Sequence, residues 1–310
     1  MSANRTVEAW PCDPHRLIPA EVLKQLHVRS DRAGWVQLLM HLAVMGVSGS
    51  LWWTQMGWRW WVALPALVVY GTSLATMFAA LHECVHRTAF ASPKINDGVA
   101  WFAGLLSFYN STFYRYYHTW HHRYTQIPGK DPELEDGKPQ NWRQYLLELS
   151  GIPWWIGKLK TYFYLATGQL QRYPYVPEAA RAEVIRSVRW QLAVYALGIA
   201  IWVGTGWPGF LVLWLWPLAV GQPILRFILL AEHTGCSQDE NPLTNTRTTL
   251  TLWPVRLLMW NMPYHAEHHL YPSLPFHALA QAHAYLRPHL AHVEAGYLRV
   301  HYQIIQSLTG

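Results

Sequence analysis

Eight of the 17 histidines in this 310-residue chain stand in three short clusters. The clusters are His82-Glu-Cys-Val-His86, His118-Thr-Trp-His121-His122 and His265-Ala-Glu-His268-His269. On a helix, residues three and four positions apart lie on one side, so each cluster would point its imidazoles in one direction. Each cluster is therefore predicted to form one part of a nitrogen ligand shell around a metal.

The number of imidazoles indicates two metal ions. His233, in Ala231-Glu-His-Thr-Gly235, is a ninth candidate. Nine imidazoles exceed what one ion can bind and suit two ions with four or five ligands each, with room for oxygen or water. Imidazole suits iron, zinc, copper and nickel, so the residue types alone leave the metal open. The predicted ligands are His82, His86, His118, His121, His122, His233, His265, His268 and His269.

Acidic residues near these histidines are candidates for orienting the rings. A carboxylate that accepts a hydrogen bond from the far ring nitrogen fixes the tautomer and strengthens the metal bond. The candidates for this outer shell are Glu83, Glu232 and Glu267, which stand beside predicted ligands, and Asp131, Glu133 and Asp136.

Long apolar stretches next to the clusters predict an integral membrane protein. About half of the residues are hydrophobic, only 14% are charged and 19 are tryptophan, which departs from the composition of soluble proteins. A spanning helix needs about 20 apolar residues. Four windows approach that length, at 33–54, 60–81, 190–204 with some extension, and 210–231. We predict an all-α fold in a single domain over residues 1–310: four transmembrane helices in two hairpins, interfacial helices and a cytosolic histidine-rich cap.

Basic residues predict the orientation of these hairpins. Of 24 lysines and arginines, only Arg59 falls at a hairpin tip, so the positive-inside rule puts both termini and every histidine cluster in the cytoplasm. We expect a bacterial inner membrane. The formal charge of +6 follows from this topology, and no basic run or base-stacking motif indicates a nucleic acid. The three cysteines lack C-x-x-C spacing and lie on the predicted cytosolic side, where thiols stay reduced, so no disulfide is expected.

Shorter segments are predicted to lie at the membrane surface or in the cytosol. The apolar stretch Gly98 to Phe113 is too short for a span and is interpreted as an interfacial or re-entrant helix. Glycines, prolines and charges between Tyr124 and Ser150 indicate a loop. Trp154 to Leu170 has the pattern of a surface-lying amphipathic helix, and another helix is expected to begin near Pro177.

The spacing of the three clusters around two transmembrane hairpins resembles the integral-membrane fatty acid desaturase and hydroxylase superfamily. The resemblance covers roughly residues 35–290. The segments His82-Glu-Cys-Val-His-Arg-Thr-Ala-Phe90 and Asn261-Met-Pro-Tyr-His-Ala-Glu-His-His-Leu-Tyr-Pro272 are more similar to the fatty acid desaturase branch than to carotenoid ketolases or alkane hydroxylases.

The resemblance implies a non-haem centre of two iron ions, bound by the eight clustered histidines and by His233 at the position of the family's isolated ligand. It also implies a hydrophobic channel for an acyl chain and an O2-dependent removal of two hydrogens that gives a cis double bond. Some relatives place an asparagine one turn before the isolated histidine, and Leu229 stands there in this chain. Candidates for lining the channel are Trp101, Phe102, Phe108, Tyr109 and Phe113.

Other activities fit parts of this pattern. Hydroxylation or ketolation of a lipid or carotenoid would use the same histidines. The letters His82-Glu83-x-x-His86 also match the H-E-x-x-H motif of zinc hydrolases, which alone would favour an intramembrane zinc protease with Asp136 as third ligand. The other seven histidines would then have no role. A metal transporter would need ligands within the membrane, where these spans carry almost no ionisable groups.

The electrons for an oxidative reaction must come from another protein. The chain has no C-x-x-C pair, no iron–sulfur spacing and no G-x-G-x-x-G segment. A ferredoxin, a rubredoxin, or a b-type cytochrome with its reductase would serve as donor. Basic residues that could dock an acidic carrier are Lys158, Lys160, Arg181 and Arg186.

Overall fold

The computed structural model describes residues 16–135 and 137–308, and this part of the chain is almost entirely helical, as predicted. The helices are α1 Ala20–Leu26, α2 Asp31–Gln55, α3 Trp60–Val85, α4 Pro93–Ser107, α5 Ser111–Tyr124, α6 Trp142–Leu149, α7 Ile152–Ala166, α8 Glu178–Thr205, α9 Trp216–His233, α10 Trp253–Leu258, α11 His265–Leu270, α12 Leu279–Leu286 and α13 Tyr297–Ser307. Two short strands, β1 Thr248–Leu250 and β2 Val293–Ala295, pair in parallel beside the last helices.

Four helices are long and apolar enough to cross a membrane, and they form the two predicted hairpins. They are α2, α3, α8 and a fourth segment over Leu211–His233, in which a π-helical turn at Leu211–Leu215 leads into α9. The third span is longer than predicted, because α8 begins at Glu178. Its first turns carry charges that a hydropathy window rejects, but residues 178–205 contain no proline, so the helix predicted to begin near Pro177 continues into the span.

Helix α3 forms the centre of the bundle and packs against α2, α4 and α9. Its second half is almost fully buried, and it approaches α9 most closely where Gly71 faces Gly221. A Cβ added at Gly221 would meet the Gly71 carbonyl oxygen, so only glycine allows the two backbones to lie this close.

The stretch predicted as one helix from Gly98 to Phe113 is two helices, and the prediction was wrong in this respect. α4 ends at Ser107, and Phe108 takes the left-handed conformation with φ of 62°. The Asn110 side chain then accepts a hydrogen bond from the Phe113 amide and caps α5. This cap signal lies inside an apolar window, where periodicity alone does not reveal a break.

The predicted loop from Tyr124 to Ser150 also contains a helix. Asn141 caps α6 by accepting a hydrogen bond from the Gln144 amide. The surface helix expected at 154–170 is α7, which ends earlier, at Ala166. Its outward side carries exposed apolar residues, among them Ile156, Leu159 and Phe163, and a helix face of this kind is stable at a membrane surface.

Replacing Gly221 with alanine should lower the free energy of unfolding by about 3 kcal/mol, since the added methyl group would separate α3 from α9. Thermal unfolding of the detergent-solubilised protein measures the effect. Gly46→Ala is the control, because a Cβ there meets nothing within 4 Å. Equal unfolding midpoints for the two variants would contradict the proposed close contact.

Candidate metal centre

The nine predicted ligands come together at one end of the helix bundle. His82 lies in the last turn of α3 and His86 directly follows that helix, while His233 is the last residue of α9. Both helices are the second members of their hairpins, so they end on the same side. Helices α5 and α11 cross this end and contribute the remaining histidines, His118, His121, His122, His265, His268 and His269.

Five histidines form the first group. One ring nitrogen from each lies within 4.8 Å of the corresponding nitrogens of the others, and the group consists of His82, His86, His118, His122 and His268. Nε2 of His122 is 3.0 Å from Nε2 of His118 and 3.1 Å from Nε2 of His268. Three helices thus aim their ring nitrogens at a common point.

The second group lies beside the first. His121, His233 and His269 each bring one ring nitrogen within 4.8 Å of the other two. Nε2 of His265 adjoins them, at 3.2 Å from Nε2 of His233 and 3.1 Å from Nε2 of His269. The nine histidines therefore divide into five and four.

Their spacing fits metal coordination. Neighbouring ligands on one ion at bond lengths of about 2.1 Å stand roughly 3 Å apart when the angle between them is near 90°. Both ring nitrogens of His82 and Nε2 of His86 are buried without a hydrogen-bond partner. Buried polar atoms are rarely left unpaired in proteins, and a bound cation would give one nitrogen of each ring a partner.

Burial keeps most of these rings neutral, with a lone pair free to bind metal. It lowers the pKa of His86 to about 3, with a further contribution from His82. It also lowers the pKa of five others well below the usual value; they are His118, His122, His265, His268 and His269. His121 differs. Burial lowers its pKa, but Glu133 and Asp131 outweigh that effect and the net pKa is raised.

Asp131 orients His121 as predicted for the outer shell. Its Oδ1 accepts a hydrogen bond from Nδ1 of His121 at 2.9 Å, which leaves Nε2 facing the second group. The same carboxylate accepts hydrogen bonds from the backbone amides of Gln126 and Glu133 and so fixes the turn after α5. His233 is held similarly, because its Nδ1 donates to the Asn245 carbonyl at 3.0 Å.

The other predicted acids have different roles. Glu83 accepts a hydrogen bond from Thr88, and its Oε1 lies 3.6 Å from Nδ1 of His82, beyond hydrogen-bond range. Glu267 accepts one from Nδ1 of His283 at 2.5 Å. His283 was not predicted to take part, since it is a lone histidine with no paired spacing. Asp136 lies outside the described residues.

Two carboxylates face the second group itself. Oε2 of Glu232 is 3.4 Å from Nε2 of His265, the nitrogen that points at His233 and His269. Oε2 of Glu133 is 3.7 Å from Nε2 of His121. Glu232 was predicted to act behind a ligand ring, but its carboxylate lies on the side of the ring where a metal would bind.

A cavity of about 340 Å³ opens beside the two groups. His82, His118, His121 and His265 line one end, and aromatic side chains form much of its wall. Of the predicted lining residues, Tyr109 and Phe113 line the cavity. The prediction was wrong for the other three residues, which do not line the cavity. Phe108 stacks on Tyr162 at 4.8 Å, and Trp101 and Phe102 are exposed on the outer surface.

Residues 58–301 match the family described as fatty acid desaturase. The chain belongs to this family. It is 25% identical to an sn-1 oleoyl-lipid 12-desaturase of Picosynechococcus, with 74% of this chain and 70% of the relative covered. Identity is also 25% to a sphingolipid delta(4)-desaturase DES1-like protein of Oryza sativa, covering 85% and 76%, and to the sphingolipid delta(4)-desaturase/C4-monooxygenase DES2 of Homo sapiens, covering 88% and 82%. The family is membrane-bound, consistent with the four spans.

Asp131→Asn should weaken metal binding by about 10- to 100-fold, because the amide cannot hold His121 as the carboxylate does. Competition with a metal chelator on the purified protein measures the affinity. Asp97→Asn is the control, since Asp97 forms ion pairs with Arg87 and Arg115 near the surface. Equal metal affinity in the wild type and Asp131→Asn would contradict this role.

Proposed function

We propose that this protein is an O2-dependent desaturase that introduces a double bond into the alkyl chain of a fatty acyl or other lipid substrate. The observation that carries the proposal is the division of nine buried or half-buried histidines into groups of five and four at the end of one cavity. Membership of the fatty acid desaturase family supports the reaction class.

Two iron ions are proposed as the cofactor. His82, His86, His118, His122 and His268 would hold one ion, and His121, His233, His265 and His269 would hold the other. The carboxylate of Glu232 would complete the second set, because its oxygen lies among the nitrogens that face this ion. When bound, iron supplies the oxidising power, together with O2, that an unactivated C–H bond requires.

The protein's own residues position the chain and keep the site dry. Phe78, Tyr114 and Met262 line the cavity, with Phe78 beside His82 and Tyr114 stacked on His118, and would hold a methylene chain against the histidines. A shift by one carbon would change the product, so this wall would set the position of the double bond. Two hydrogens leave the substrate, and two further electrons and two protons reduce O2 to two waters.

The two further electrons require an external donor, for which we propose a ferredoxin, a rubredoxin, or a b-type cytochrome with its reductase. The distribution of lysine and arginine favours a cytoplasmic position of the histidine end, in a bacterial inner membrane. A soluble donor would then reach the centre from the cytosol. Lys160 is exposed on α7 and remains a docking candidate.

Hydroxylation is the second candidate. The relative from Homo sapiens is named as both a desaturase and a C4-monooxygenase, and this double name is the observation that favours hydroxylation as a second candidate. The same ligands would serve either outcome. Peptide hydrolysis has less support, because Glu83 is fully buried, bonded to Thr88 and absent from the cavity wall, where a general base would have to meet the substrate.

Each of the variants His118→Ala, His122→Ala, His265→Ala and His268→Ala should abolish turnover while membrane insertion is retained, because α5 and α11, which carry these rings, are not among the four membrane-spanning helices. Mass spectrometry of lipids from an expressing host measures the product. Loss of two hydrogens indicates desaturation, whereas gain of one oxygen indicates hydroxylation. His289→Ala is the control, since His289 lies in neither histidine group. Full activity in two of the four variants would contradict the assignment.

Glu232→Gln should reduce the bound iron from about two ions per chain toward about one, because the second group loses the nearer of the two carboxylates that face it. Metal analysis and the Mössbauer spectrum of the purified protein measure this without a substrate. Glu148→Gln, at a cavity-lining residue outside both groups, is the matched control. An unchanged spectrum in Glu232→Gln would exclude Glu232 as a ligand.

A further inference from the structure

Three cationic side chains line the cavity, and two of them, Lys158 and Arg226, lie beside Tyr109; the third is Lys138. Lys158 on α7 and Arg226 on α9 both face the cavity, and they flank the same pair of aromatic rings. Nζ of Lys158 lies 3.3 Å from the centre of the Tyr109 ring, and Nη2 of Arg226 donates to the Tyr109 hydroxyl at 3.2 Å. Trp154 lies within 6 Å of both cations and closes this end.

Lys158 stands on the buried face of its helix. Trp154, Tyr162 and Leu165 share that face by helical spacing, and all three are buried. Lys160 lies on the exposed side of the same helix. An amphipathic surface helix places its lysines outward by default, so Lys158 bears a desolvation cost that Lys160 avoids. Burial and the nearby Arg226 lower the pKa of Lys158 well below its usual value.

Neither cation has an anionic partner close by. Within residues 16–135 and 137–308, no carboxylate lies within ion-pair distance of Lys158 or Arg226, and Nε of Arg226 is buried without a hydrogen-bond partner. Glu232 affects Arg226 only at longer range. Two half-buried like charges beside one another are stabilised when an anion lies between them.

The charged residues differ between the two ends of the cavity. Four acids line it, namely Glu133, Glu135, Glu148 and Glu232, together with Lys138. Two of these acids lie at the histidine end, Glu133 against His121 and Glu232 against His265, where they would repel an anion. Lys158 and Arg226 lie at the Tyr109 end. Phe78 joins the two ends, since its ring is 4.6 Å from the Tyr109 ring and 6.2 Å from the His82 ring, measured between centres.

We propose that Lys158 and Arg226 bind an anionic group of the substrate, a carboxylate or a phosphate, while its alkyl chain passes Phe78 toward the histidines. This inference rests on the proposed function for the identity of the ligand as the substrate. It excludes neutral lipids, such as an uncharged amide or alcohol, as the preferred class. Lys158 is thereby reassigned from the surface that would dock an electron donor to the substrate cavity.

The test is binding to protein expressed with added iron, purified without chelators and placed in phosphatidylcholine nanodiscs, with empty nanodiscs as blank. At about 30 Å³ per water-sized group the cavity holds about eleven such groups, so eight-carbon probes are suitable. Octanoate, octyl phosphate and octan-1-ol share one chain and differ in charge. Charge-assisted hydrogen bonds should make either anion bind about tenfold or more tightly than the alcohol. The better of the two anions identifies the group as carboxylate or phosphate.

Variants of Lys158 and Arg226 test whether these two residues cause the preference for an anionic probe. Lys158→Met and Arg226→Gln should each weaken binding of the preferred anion about tenfold and leave octan-1-ol binding unchanged. Lys158→Arg keeps the positive charge and should bind the anion as tightly as the wild type. Lys160→Met, on the exposed side of the same helix, should change nothing. Equal binding of all three probes to the wild type, or an unaltered anion affinity in Lys158→Met, would overturn the proposal.

Iron analysis of each preparation separates this inference from the proposed function. About two iron ions per chain in Lys158→Met, with the anion preference lost, supports both. The same iron content without any anion preference in the wild type overturns the anion site and leaves the desaturase assignment intact. Wild-type protein that prefers the anion but binds no iron overturns the assigned cofactor alone.

Discussion

Nine imidazoles lie together in a space from which water is largely excluded, and this constraint shapes the rest of the structure. Burial holds rings such as His86 and His268 in the neutral form, so mutual charge repulsion does not drive the groups apart. Ring nitrogens about 3 Å apart still place their lone pairs against each other. This arrangement is stable when a cation lies between them. The fold therefore supplies helix ends and backbone acceptors that keep each ring aimed inward, as Asn245 does for His233.

The two hairpins deliver this geometry by simple means. Each second helix returns to the side where the first began, so α3 and α9 bring His82 and His233 to one level. The glycine contact between these helices sets how closely the ends approach. The break at Phe108 then turns the chain so that α5 can carry its cluster across the bundle end.

Much of this arrangement could be predicted from the sequence, because the signals are local. Spacing of three and four residues shows which histidines share a helix side, and hydropathy over about 20 residues finds the four spans. The break before α5 and the helix at Trp142 were not predicted, because each depends on a single asparagine cap. The roles of Glu232, His283 and Lys158 depend on tertiary contacts with residues far away in the chain, which no local pattern encodes.

The central claim is that the two histidine groups bind two iron ions. Metal analysis combined with X-ray absorption at the iron edge, on protein purified without chelators, tests it most directly. The account predicts about two iron ions per chain with a nearest shell of imidazole nitrogens at about 2.1 Å. A single stoichiometric zinc, or iron surrounded mainly by oxygen or sulfur, would contradict it.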